Sequence, residues 1–170
     1  MRFTVSRFLL WGVSLVVVQT PFLSIAHGQT KIVRSGSTVV SAMSPKGRGS
    51  IIVHTTIFDR GCVCSCPAAR MLEELNIKEV AVVQGLEISV DGKPIAVPLS
   101  VYDELFDPRQ ISLRFDKGSF VLRIDGGDAA YSYFTRVYFD GSGVNRLLAY
   151  SSLVPDKPTG DLHYFHVALK

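Results

Sequence analysis

The sequence predicts a mainly β protein, an antiparallel β-sandwich or open-barrel meander carrying one or two short helices. Three features point there. Ile111, Leu113 and Phe115 alternate with Ser112 and Arg114, and Phe120, Leu122 and Ile124 alternate with Val121 and Arg123, the period of strands with a core face and a wet face. Turns rich in Gly and Asp recur between such runs, at Asp91-Gly92, Asp116-Lys117-Gly118, Asp125 to Asp128 and Asp140 to Gly143. β-Branched and aromatic segments such as IIVHTTIF, Ile51 to Phe58, have strand length and strand composition.

The order of elements starts with an export signal. Arg2 and Arg7 flank a polar start, the run Phe8 to Val18 carries no charge, and the small residues around Ala26-His27-Gly28 suit cleavage, so residues 1–28 read as a signal peptide and the mature chain starts at Gln29. If uncleaved, the stretch Phe8 to Gly28 is long enough to anchor the chain in a membrane, and membrane contact is expected only in that case. No cysteine follows closely, which argues against a lipoprotein. The chain of 170 residues then keeps 142, one ordinary domain. Of 18 basic and 15 acidic side chains the signal removes two arginines and no acid, leaving a net charge of +1. There is no basic tract to follow a phosphate backbone, so nucleic acid is not an expected partner.

Residues 29–49 are rich in Ser, Gly and Thr and read as a flexible lead-in with one short strand at Ser37 to Ala42; residues 50–170 form the single β-rich domain. After the strand Ile51 to Phe58, Pro67 opens a short helix in which Met71, Leu72 and Leu75 recur at helical spacing, ending at Asn76. Val80 to Val90 and Lys93 to Val97 flank Asp91-Gly92, a dipeptide that supplies the positive backbone angles of a tight hairpin. Ser100 is placed to cap VYDELF, with Asp103 three residues on and Pro108 as a stop, for at most two helical turns. Beyond the first two alternating strands, the strands Tyr131 to Phe139, Val144 to Ser151 and His163 to Leu169 complete the meander.

The stretch GCVCSCP, Gly61 to Pro67, holds all three cysteines of the chain. In an oxidising compartment an odd number leaves at least one thiol outside any intramolecular disulfide. In an extended segment Cys62, Cys64 and Cys66 share one face and can converge on a soft ion, copper or zinc. At the start of the Pro67 helix, Cys66 would gain thiolate character from the helix dipole. Against these stands a local staple, such as Cys62 to Cys66, with the third thiol buried or paired with another chain. The spacing lacks the framework of known zinc sites, and the staple is the reading preferred.

His163 and His166 fall on opposite faces of a strand, and His54 lies inside one, so no local histidine pair chelates a metal. No nucleophile elbow, zinc-protease helix or phosphate loop is present, and turn chemistry accounts for Asp125 and Asp128 better than calcium binding does. Alternation puts Tyr131, Tyr133, Val137 and Phe139 on one face and Ser132, Phe134, Arg136 and Tyr138 on the other. Both faces are partly apolar, so one is expected in the core and the other at a sheet edge or against a protein partner.

The Gly-rich turn with tyrosine after it, Gly126, Gly127, Asp128 and Tyr131, resembles the periplasmic lysozyme inhibitors, which block the lysozyme cleft with a Ser-Gly-containing loop ending in Tyr. The family's serine is Gly or Asp here, and the likeness spans about a dozen residues around this turn. With the resemblance pointing to inhibition, the chain reads as a periplasmic or secreted, non-catalytic binding or inhibitory domain that acts on a protein partner without a cofactor; the alternative is a thiolate metal-binding or thiol redox protein centred on Cys62, Cys64 and Cys66. The expected contact residues are Gly126, Gly127, Asp128, Tyr131, Tyr133 and Arg136, with the loops Asp125 to Ala130 and Asp140 to Gly143 at the recognition edge.

Overall fold

The computed structural model describes residues 29–61 and 67–165. The expected signal segment, Cys62, Cys64, Cys66 and His166 lie outside them. The chain forms two antiparallel sheets packed as a sandwich, with one helix and no closed barrel among the described residues. Its elements are β1 (Thr30–Lys31), β2 (Gly36–Ser44), β3 (Gly47–Asp59), α1 (Pro67–Glu74), β4 (Glu79–Val90), β5 (Lys93–Ile95), β6 (Pro108–Asp116), β7 (Ser119–Gly126), β8 (Tyr133–Asp140), β9 (Gly143–Ser151) and β10 (Gly160–His163). One sheet runs β1-β6-β7-β8-β9-β10 and the other β2-β3-β4-β5. No described helix is long and apolar enough to cross a membrane.

The alternation in β6, β7 and β8 becomes the six-stranded sheet's inner face. Ile111, Leu113, Phe120, Leu122, Ile124, Val137 and Phe139 are all buried, facing Ile51, Val53, Leu86 and Ile88 of the four-stranded sheet. Phe120 stacks on Phe139 at 5.3 Å and meets Phe115 edge-on at 5.2 Å, the offset and edge-on arrangements aromatic rings favour. A layer this thick at one point needs a thin one opposite. Gly49 of β3 supplies it, since a Cβ there would come within 2.7 Å of the Phe120 ring.

The strand expected at Ser37 to Ala42 is present and longer, Gly36–Ser44, and the lead-in expected around it is instead part of the sandwich's first hairpin. β2 pairs with β3 without interruption from Gly36↔Thr55 to Ser44↔Gly47. Its Ser, Gly and Thr content reads locally as loop, but Thr38 and Ala42 are buried, and pairing plus burial override weak local propensity. The second helix is also absent. Leu99–Val101 makes a single 3-10 turn after Pro98, without a side-chain cap from Ser100, and Ser100 Oγ lies 3.0 Å from the Tyr164 hydroxyl. Asp91-Gly92 turns the β4–β5 hairpin as expected, with φ of 52° and 75°.

The helix α1 ends as its sequence suggests. Asn76 takes φ 50°, its N–H donates to the Glu73 carbonyl and the Ile77 N–H to that of Leu72, the paired bonds that close a helix at a left-handed residue. Its inner face, Ala68 and Leu72, packs with Val80, Phe58 and Phe106 in a small cluster separate from the main core. The last strand among the described residues is Gly160–His163; the expected strand His163 to Leu169 lies outside them beyond residue 165.

Gly49→Ala is expected to destabilise the domain by about 1–3 kcal/mol through overpacking against Phe120. Leu122→Ala, which opens a cavity instead, should cost about 2–5 kcal/mol. Urea unfolding of both variants checks the pair, and a Gly49→Ala protein as stable as the parent would show that the ring is free to move aside.

Candidate functional site

The turn after β7 is built by backbone demands. Gly126 lies under the Tyr133 ring, and a Cβ there would stand 2.5 Å from the Tyr133 hydroxyl and 2.9 Å from the Asp107 carbonyl oxygen. Gly127 adopts φ 71°, and any side chain on it would run into the carbonyl oxygen of Tyr131. Its N–H donates to the Asp107 carbonyl at 3.1 Å. The chain then enters a single 3-10 turn, Ala129–Tyr131, capped by the Asp128 carboxylate, which accepts from the Ala129 N–H at 2.9 Å. Ser132 closes the turn with its hydroxyl on the Ala129 carbonyl at 2.8 Å.

This turn shifts Tyr131 out of the strand in which the sequence pattern placed it. β8 begins at Tyr133, so Tyr131 does not share a strand face with Tyr133 and stands 60% exposed at the tip of the turn. Beside it opens a cleft of about 200 Å3. Its apolar part comes from Met71, Leu75, Ile77 and Val80; Arg34, Glu79, Asp107 and Asp128 add charge, and Gly127 and Tyr131 form one side. Arg34 pairs with Glu79 at 3.1 Å, and Arg109 reaches Asp107 at 3.1 Å and Asp128 at 3.6 Å. These exposed pairs contribute little to stability. They do fix the outline of the opening. A shallower hollow of about 730 Å3, bounded by Lys31, Pro108 and Gln110, continues past Arg34 and Asp107.

The segment Leu105 to Asp107 holds cleft and sandwich together. Phe106 bridges to Val82, the Val83 N–H donates to Leu105, and the Asp107 N–H donates to Ala81 at 2.6 Å before the chain enters β6. Asp107 therefore ties β4 of one sheet to the Gly127 turn of the other.

The remaining expected contact residues do not join this cleft. Tyr133 packs against the main core, its hydroxyl buried without a hydrogen-bond partner, and burial next to Asp107 and Asp125 drives its pKa well above the ordinary tyrosine range. It supports the turn from beneath. Arg136 lies on the outer face of β8, over Phe134 at 5.3 Å and Tyr150 at 5.1 Å, and Arg123 covers Phe134 at 4.1 Å. Phe134 and Tyr150 stack at 4.4 Å beneath these arginines. The second partly apolar face of β8 is thus a small aromatic cluster with an arginine lid. The Asp140 to Gly143 turn carries local bonds, with the Ser142 and Asn145 side chains donating to Asp140.

On the outer face of the four-stranded sheet, Ser37 Oγ lies 2.8 Å from His54 Nδ1, and His54 Nε2 lies 2.9 Å from Glu87 Oε1. The order Ser, His, carboxylate is that of a nucleophilic triad. The setting differs, because the three sit across neighbouring strands on an open, solvated surface where Glu87 is 67% exposed, and water weakens the charge stabilisation such chemistry needs. They form a cross-strand polar ladder. No group of three metal-ligating side chains occurs among the described residues.

Sequence reasoning located the turn and Tyr131 but missed Arg34, Met71, Leu75, Glu79, Asp107 and Arg109. Their one available signal was the amphipathic helix after Pro67, whose apolar residues Met71 and Leu75 are only half-buried and line the cleft.

The buried phenol gives a pH test with a definite sign. Below the ordinary tyrosine pKa of about 10 both folded and unfolded states keep Tyr133 neutral. Above it the unfolded chain releases a proton that the folded chain holds, so stability falls as pH rises. Tyr133→Phe should reduce that alkaline loss and, because the hydroxyl it removes has no partner, leave stability at neutral pH unchanged or raised. Chemical denaturation of both proteins from pH 7 to 11 checks it; equal alkaline slopes would mean that Tyr133 titrates freely.

Comparison with family models, curated proteins and solved structures finds no match to this chain.

Proposed function

We propose that the protein is an exported, periplasmic or secreted, binding domain that engages a protein partner through the Gly126 to Tyr131 turn and the cleft beside it, and that it works by occlusion without catalysis. One observation carries the reading: Tyr131 is an exposed aromatic on a turn whose backbone is held at both ends, next to an apolar recess with a charged rim. Aromatic anchors beside recesses of this kind dominate protein–protein binding energy, because they bury much area with few rotatable bonds. A turn fixed before binding loses little entropy on complex formation. The likeness of this turn to the loop of periplasmic lysozyme inhibitors makes the active cleft of a lysozyme the first target to test. Export follows from the charge and apolar pattern of residues 1–28.

The test measures lysis of peptidoglycan by purified lysozymes of different structural classes in the presence of the exported protein. Inhibition of at least one is expected, and Tyr131→Ala should weaken it about thirtyfold, the loss of one anchor. Replacing Cys62, Cys64 and Cys66 together by Ser should leave inhibition intact. If no lysozyme is inhibited, the lysozyme target is wrong. Inhibition that survives Tyr131→Ala but disappears with the cysteines would move the site to GCVCSCP.

A further inference from the structure

The edges of the two sheets are treated unequally. β1 is two residues long, β5 is three residues with Lys93 and Pro94, and β10 is four residues with Asp161 and His163. Short length, proline and charge are the usual means by which an edge strand is kept from pairing with another chain. β2 has none of them. It runs nine residues, GSTVVSAMS, with no charge, no proline and no irregularity in its register with β3. It ends its sheet, and its outer face exposes Val39 and Met43, 58% and 52% accessible.

We propose that β2 is a self-association edge, pairing antiparallel with β2 of a second copy so that two four-stranded sheets become one continuous sheet. The sequence of the strand is complementary to itself in one register. With the twofold axis at Ser41, Val39 of each copy faces Met43 of the other, so the exposed apolar pair on the outer face is covered twice by one symmetric operation. On the inner face the same register sets Val40 opposite Ala42 and Thr38 opposite Ser44. A strand without charge offers nothing for a partner of opposite charge to select, which favours a second copy over a foreign strand. The cost in this register is Arg48, which donates to Ser41 Oγ at 2.8 Å and would meet its symmetry mate near the axis. That repulsion is solvent-exposed and screened by salt.

The inference goes beyond the cleft reading, because no residue of β2 lines the cleft. A dimer would carry two clefts, and a bivalent protein holds a partner presented in many copies more tightly than a single domain does.

Sedimentation equilibrium of the exported protein across a concentration series tests the proposal. A monomer–dimer equilibrium is expected. Val39→Lys should raise the dissociation constant about tenfold or more, since one change disrupts two symmetric pairs. Adding Met43→Glu to Val39→Lys should restore the dimer, because the register sets the two new side chains opposite each other, and Arg48→Gln should tighten it. Both changed side chains are exposed, so circular dichroism and the thermal midpoint should match the parent. A strictly monomeric parent, or a dimer indifferent to Val39→Lys, overturns the proposal. A folded double variant that stays monomeric overturns the register.

Discussion

Everything in this molecule leans on the contact between β7 and β8 and the facing strands β3 and β4. Phe120, Leu122, Ile124, Val137 and Phe139 carry the inner face of one sheet, and Ile51, Val53, Leu86 and Ile88 that of the other. Each fully buried side chain of this size contributes roughly 1.5–3 kcal/mol against exposure, so this face outweighs any ion pair in the structure. Its packing also dictates the rest of the chain. The Phe120–Phe139 stack requires the bare backbone of Gly49, and the alternation that buries Val137 and Phe139 turns Phe134, Arg136 and Tyr138 outward. The outward aromatics are then covered by Arg123 and Arg136, and Arg123 also pairs with Asp125.

How much of this was legible follows from which forces are local. Period-two alternation from Ile111 to Ile124 and the Asp91-Gly92 turn are written in neighbouring residues, and both gave the observed strands and hairpin. The stretch around Ser37 to Ala42 was legible only as a short strand inside a flexible lead-in, because Ser, Gly and Thr hold no strong local preference. Its full length of nine residues comes from pairing with Gly47 to Thr55, a contact no local window contains. The region around Ser100 failed in the opposite direction. A local capping pattern was present, but Val101 and Leu105 are buried against the sandwich, and the Leu105 to Asp107 segment bonds to β4 instead of continuing a helix.

The cleft shows the same division more sharply. Its turn could be found because glycines at Gly126 and Gly127 answer a backbone need, the close approach of Tyr133 and a positive φ. Its other wall could not, because Arg34, Met71, Glu79 and Asp107 come from four separate segments. Each of them looks ordinary in its own context. Arg136 lies where alternation put it, on the face of Phe134, and that face is turned away from the cleft, so it covers Phe134 and does not join Tyr131.

The main core and the cleft draw on different parts of the chain. One wall of the cleft belongs to α1 and its small cluster of Ala68, Leu72 and Val80, which is separate from the main core. The opposite wall is the Gly127 turn, fixed to the six-stranded sheet through β7 and β8. Asp107 is the residue that joins them, with its backbone N–H on β4 and its carbonyl on Gly127. Local opening costs least where few apolar contacts are lost, and α1 rests on the smaller of these clusters. On the proposed reading, a turn fixed before binding would hold Tyr131 in place at little entropic cost, and the flexible side chain of Met71 on the facing wall would fit itself to an entering side chain.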